Sequence, residues 1–149
     1  MEFNFIKIFG GGKTLIDVGL FIPDSVEKIL LALSDGEQSK ESIHKSFEPW
    51  LQAAKEDNCL ILAPCAPDGV LFHEGGELLV PRMIEVFFQS MEQKPRKMAI
   101  AGIGEGAKSA EKIHTLFPDL FTKISIHKDY SELTNESIKK SWDYLEAIG

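Results

Sequence analysis

The residues best placed to do chemistry surround a glycine cluster at 98–107, Met-Ala-Ile-Ala-Gly-Ile-Gly-Glu-Gly-Ala. An apolar run leads into it and a helix-like stretch, Lys108 to Leu116, leads out. That reads as strand, tight glycine turn and helix. The layout G-x-S-x-G uses such a turn to lift a serine hydroxyl clear of a sheet, where it can attack an acyl carbon. Here the five residues are Gly102-Ile103-Gly104-Glu105-Gly106, with Gly104 at the serine position. Glycine has no atom that can attack, so Gly104 marks a degenerate nucleophile position and no catalytic residue is assigned. Ser109, five residues on, falls on the helix and cannot replace a side chain exposed by a strained turn.

Other polar residues are expected near the same turn. Ser34, Asp35 and Gly36 break the apolar run Lys28–Leu33, and His127, Asp129 and the Tyr130 hydroxyl end another strand-like run. Sheets flanked by helices hold ligands at the carboxyl ends of their strands. The ligand-binding candidates are therefore Ser34, Asp35, Gly36, Gly104, Glu105, His127 and Asp129. An oxyanion needs donors aimed at its negative charge, which Asp35, Glu37 and Glu105 would oppose. No ester hydrolysis is expected. Gly104→Ser is expected to be accommodated, since the flanking glycines leave room, but not to restore turnover without a general base beside it.

Three further patterns carry weaker chemistry. Gly102-x-Gly104-x-x-Ala107 fits the dinucleotide fingerprint, and Asp129 ends the next strand, so a pyrophosphate at the helix N-terminus is an alternative. Gly12-Lys13-Thr14 ends like a phosphate-binding loop, but the residues after it alternate like a strand, so a hairpin turn is the simpler reading. His73, with Glu74 and Glu77, would make at most a weak metal site; no histidine pair has the H-E-x-x-H spacing. No cofactor and no metal are expected.

These residues need a scaffold. At 149 residues the chain is expected to form a single domain, 1–149. Its composition, 44% hydrophobic and 26% charged, is that of an ordinary globular protein. The net charge of −7 and the small basic pairs Arg96-Lys97 and Lys139-Lys140 argue against nucleic-acid binding. No apolar run reaches a membrane-span length of about 20 residues, and no leader pattern opens the chain. Cys59 and Cys65 flank a strand-like run whose extended length, roughly 20 Å, keeps them apart. Free thiols suit a reducing compartment, so a cytoplasmic location is expected.

Strands are predicted at 4–9, 14–22, 28–33, 59–63, 97–101 and 123–127. The first two should form an antiparallel hairpin through Gly10-Gly11-Gly12. Helices are predicted at 42–55, where Ile43, Phe47, Trp50, Leu51 and Ala54 share a face, and at 78–91, 106–117 and 135–148. Strands alternating with helices after residue 28 imply a mainly parallel sheet covered on both faces.

In this order the segments resemble the α/β-hydrolase superfamily, near its polyhydroxybutyrate-depolymerase, feruloyl-esterase and carboxylesterase-like branch. Lys28–Leu33 is similar to the strand before the oxyanion loop. Ser46-Phe47-Glu48-Pro49-Trp50-Leu51 and Leu60-Ile61-Leu62-Ala63-Pro64 resemble a helix and following strand of that branch, and Ala101–Ala107 resembles its nucleophile elbow. His114-Thr115-Leu116-Phe117-Pro118-Asp119-Leu120-Phe121 is similar to the stretch ending the next helix. The resemblance implies a three-layer α/β sandwich with a shortened, mostly parallel sheet of about six strands. It also implies three departures: Gly104 for serine, Ser34-Asp35-Gly36-Glu37 for His-Gly-Gly, and no match to the family's catalytic histidine. The expected function is a non-catalytic, hydrolase-like binding or interaction module, with a carboxylesterase-type hydrolase as the alternative. Association, as a homodimer or with another protein, is expected through strand 123–127 and helix 135–148.

Overall fold

The computed structural model describes residues 3–11, 14–92 and 98–127. Three short apolar runs, KILLAL, CLILAP and MAIAGI, form the centre of one sheet as β3 (Lys28–Leu33), β4 (Cys59–Pro64) and β5 (Met98–Ile103). Continuous apolarity is what a strand needs when both of its faces are covered. β1 (Asn4–Gly11) and β2 (Thr14–Phe21) form the antiparallel hairpin, and β6 (Phe121–His127) lies beside β5. The strand order is β1-β2-β4-β3-β5-β6; β3, β4, β5 and β6 run parallel, and β2 is antiparallel to β4. The sandwich and its mostly parallel six-stranded sheet are those read from the sequence.

Two apolar clusters cover the two faces. On one face Ile43, Phe47, Trp50, Leu51 and Ala54 pack against Leu30, Ala32, Ile61 and Ala101. On the other, α3 (Leu79–Ser90) brings Val80, Met83, Ile84, Phe87 and Phe88, and α4 (Glu105–Leu116) brings Ala110 and Ile113, onto Leu31, Leu33, Leu62 and Ile100. The segment predicted as one helix over 42–55 is divided. α1 (Lys40–Phe47) passes through a 3-10 turn at Glu48–Trp50 into α2 (Leu51–Glu56). Pro49 has no N–H to continue the helical ladder, a fault of about 3 kcal/mol in a helix interior. Burying the large side chains Phe47, Trp50, Ile43 and Leu51 contributes about 1.5–3 kcal/mol each, so the segment keeps its course across the break.

The chain reaches α1 and α2 from β3 on one face and α4 from β5 on the other, although β3 and β5 are neighbours. Helices that leave adjacent strands toward opposite faces open a crevice at the strands' carboxyl ends, where such sheets bind ligands. Among the described residues no helix is long and apolar enough to cross a membrane.

Candidate functional site

Register brings three strand ends together at that crevice. Leu33 pairs with Gly102, and Ile103 with His127, so β3, β5 and β6 end side by side. Gly104 forms the corner between β5 and α4, with φ +58° and ψ −118°. Side chains rarely occupy that region, so glycine suits it. Its N–H donates to the carbonyl of His127 at 2.8 Å, tying the corner to β6.

The flanking glycines are there because α4 starts hard against the sheet. A Cβ on Gly106 would meet the carbonyls of Leu33 and Ser34; one on Gly102 would meet the backbone of Gly106 and Ala107. The close strand-to-helix packing expected of an elbow is present.

Gly104 faces neither solvent nor an empty notch. A Cβ there would lie 2.6 Å from Oδ1 of Asp35 and closer still to its Cγ and Oδ2. The Asp35 carboxylate, carried by the loop after β3, fills the space a nucleophile's side chain would need. Its Oδ1 accepts the N–H of Glu105 at 2.9 Å. In an elbow of this layout the N–H after the nucleophile is an oxyanion donor, and the loop after the third strand supplies the other. In this chain that loop supplies a carboxylate, which takes the donor. The expectation that Gly104→Ser is accommodated is therefore wrong: the flanking glycines make room for the helix, and Asp35 fills the place left for the side chain.

Gln38 anchors the same loop. Its Oε1 accepts the N–H of Ala66 at 3.0 Å, and its Nε2 donates to the Gly36 carbonyl at 3.1 Å and to Ser34 Oγ at 3.4 Å. Ser34 is buried. Outside the loop lies an open cavity of about 510 Å³ lined by Asp35, Gly36, Glu37, Ser42, Lys45, Ser46 and Pro49. Asp35 is thus shared between the elbow and the cavity wall. The four helix-side residues were missed in the sequence, although 42, 45, 46 and 49 have the i, i+3, i+4, i+7 spacing of one helical stripe beside the core face.

His127 is only 7% exposed, with its ring edge-to-face with Trp50 at 5.8 Å and Nε2 3.4 Å from Ser125 Oγ. Of the seven candidates, Ser34, Asp35, Gly36, Gly104, Glu105 and His127 converge on the crevice. Asp129 lies outside the described residues, as do Tyr130 and helix 135–148.

A second polar group sits on the outer side of α4. His73 Nδ1 is 2.7 Å from Ser109 Oγ, and its Nε2 is 3.4 Å from Glu105 Oε2. Lys108 pairs with Glu105 at 3.0 Å, which raises the lysine's pKa. Lys112 donates to the His73 carbonyl and pairs with Glu77 at 2.7 Å, holding that carboxyl below the usual carboxylate range. A serine, a histidine and a carboxylate in series have the composition of a hydrolytic triad. Ser109, however, is 2% exposed within α4, so its hydroxyl has no room for an acyl group. The group serves to fasten loop 65–78 to the helix. His73, Glu74 and Glu77 do not form the metal site weighed from the sequence: among the described residues no three His, Cys, Asp or Glu side chains could hold a metal ion.

No protein-family model matches the sequence, and no curated protein matches it. Solved structures do share the fold. An acetyl xylan esterase from Aspergillus awamori superposes with TM-score 0.65 at 14% identity, over 90% of this chain and 56% of the esterase. A dienelactone hydrolase from Anabaena variabilis gives 0.64 at 12% identity, over 91% and 67%. A thermostable carboxylesterase cloned from a metagenomic library gives 0.61 at 16% identity, over 84% and 46%. The chain thus spans about half the length of the two esterases, and its fold is that of an α/β-hydrolase.

Proposed function

We propose that this chain is a non-catalytic α/β-hydrolase-like protein, a binding or interaction module. The observation that carries the reading is the Asp35 carboxylate in the elbow, seated where a nucleophile would stand and accepting the Glu105 N–H. Losing one oxyanion donor costs about 10²–10³ in turnover. Here the donor is turned to a negative charge, which would repel a developing oxyanion about 4 Å away by roughly 4 kcal/mol near a protein surface. The same charge opposes a pyrophosphate at the α4 N-terminus and so weighs against the dinucleotide alternative.

The cavity beside Asp35 has the size of a small-molecule site, about 300–1,000 Å³, and supports a binding role. Association with a second copy or another protein through β6 and residues 135–148 belongs to the same proposal. So does a cytoplasmic location, which two free thiols favour. Ester hydrolysis is the second reading, favoured because two of the similar structures are named as esterases; its nucleophile would have to come from outside the elbow.

Purified protein separates the two readings. It should hydrolyse short p-nitrophenyl esters no faster than buffer and take up no fluorophosphonate probe. Stoichiometric labelling of any residue would sink the non-catalytic reading and favour the hydrolase.

A further inference from the structure

β6 has two faces, and the described helices account for one of them. Side chains alternate along a strand, and register sets each residue of β6 beside one of β5. Ile124 and Ile126 pair with Ile100 and Gly102 and so face α4. Lys123, Ser125 and His127 pair with Ala99, Ala101 and Ile103 and face the other way. On that second face α1 and α2 lie toward β2 and β4, and Trp50 reaches across as far as His127. Among the described elements β6 makes extended contact with β5 and α4 alone. Yet Ala99, Ala101, Ile103 and His127 are all buried there, and Lys123 and Ser125 are partly so. On the α4 face, which a described helix does cover, Ile126 stands about half exposed. Burial thus runs opposite to the described cover, and the further cover belongs on the Trp50 face.

Residues 128–149 lie outside the described residues and continue directly from β6. In their sequence Ile138, Trp142, Leu145 and Ile148 recur at helical spacing, with Lys139, Lys140, Asp143 and Glu146 between them. A helix over 135–148 would run about 21 Å, close to the roughly 23 Å of the seven-residue β6. The residues between, 128–134, extend up to about 23 Å, enough to turn onto either face. The usual right-handed crossover to a further strand beyond β6 would put a helix on the α4 face; the burial selects the other. We infer that residues 135–148 cover β5 and β6 on the Trp50 face, with Trp142 seated over the small side chains of Ala99 and Ala101. The occupant is this chain's own segment: tethered to the strand it covers, it acts at a high effective concentration, which favours its own sheet over a second copy's. Its apolar stripe is then covered within the molecule, and a second chain has the edge of β6 to pair with. The placement does not depend on whether the protein is catalytic, so it and the functional reading fail separately.

The test uses the full-length chain, uniformly isotope-labelled. A nuclear Overhauser contact is expected between the Trp142 indole and the methyl of Ala99 or Ala101. In labelled and unlabelled chains refolded together, a filtered spectrum that reports only contacts between chains should lack it. A contact of Trp142 with the Ile124 or Ile126 methyls instead would put the segment on the α4 face and overturn the inference. A contact seen only between chains would make a second copy the occupant, and no contact between Trp142 and β5 would leave the face to a different partner; either overturns it. Melting gives a second readout. Trp142→Ala should lower the melting temperature by about 6–20 °C, the loss for a buried tryptophan in a chain of this size. Tyr144→Ala, off the stripe, should lower it by less than about 2 °C. Equal losses, or none for Trp142→Ala, count against the placement. Should Trp142→Ala not fold, the contacts in the wild type decide.

Discussion

At the scale of single residues, the sequence displays what Gly104 lacks and hides what stands in its place. Five residues are enough to show a nucleophile position without a nucleophile. Nothing local shows that a carboxylate 69 positions earlier fills the gap, because that contact depends on the register of β3 against β5 and on the turn of the following loop. Gly104→Ser should therefore destabilise the fold twice over. A side chain at φ +58°, ψ −118° brings strain of about 1–3 kcal/mol, and its Cβ must displace Asp35. In Asp35→Ala the second penalty disappears. A double-mutant cycle by denaturant unfolding should return a coupling of about 0.5–3 kcal/mol, the range for residues in contact, with the double variant more stable than additivity gives. Additive effects would mean that Asp35 does not occupy the elbow. Separately, burial pushes the Cys59 thiol up to about 12 and the Cys65 thiol up to about 11. Both should resist Ellman's reagent at pH 8 in the native protein and react after unfolding, since the thiolate is the reactive form. These folded pKa values lie above the ordinary value of 9.0, so above pH 9 the unfolded chain loses protons first and stability falls toward pH 12. Cys59→Ala should flatten that fall in a pH series of melting curves.

At the scale of elements, the apolar runs carry most of the information. β3, β4 and β5 are visible as short, wholly apolar segments, and α3 and α4 keep a helical period. What shifts is their ends: β5 continues through Ile103 and β6 begins at Phe121, because pairing with a neighbour extends a strand past the point where its own pattern fades. The break at Pro49 could be read from proline chemistry, and only the shared core face of 42–55 hides it. Glycines divide in the same way into those required by contact and those required by conformation. Gly106→Ala drives a Cβ into the Leu33 and Ser34 carbonyls, and backbone cannot step aside as a side chain can. It should cost about 1–3 kcal/mol or more, the range of overpacked interiors. Gly36→Ala meets nothing within 4 Å, and only its φ of +69° opposes the change, a penalty of about 1–2 kcal/mol. Melting temperatures should therefore fall further for Gly106→Ala than for Gly36→Ala. The reverse order would mean that α4 does not approach β3 so closely.

At the scale of the whole molecule, the sheet has β1 and β6 as its outer strands among the described residues. Outer strands present N–H and C=O groups to any chain that can pair with them. On β6, Ile124 is partly packed against the core while Ile126 is 47% exposed, with Lys123 and Ser125 between and beside them. The β1–β2 hairpin offers a competing patch at Phe9 and Leu15, which face each other across the strands and are about half exposed, next to the exposed Lys7–Asp17 pair. A surface ion pair contributes little, but a charged pair one step from the patch makes a dry interface there more costly to form. Association is thus expected at β6. Sedimentation of the purified chain should report a species heavier than 16.6 kDa. Ile126→Lys should move it toward the monomer, whereas Phe9→Lys should leave the assembly intact. If Phe9→Lys dissociates the species and Ile126→Lys does not, the interface lies on the hairpin. A clean monomer at high micromolar concentration removes self-association and leaves a second protein as the partner for β6.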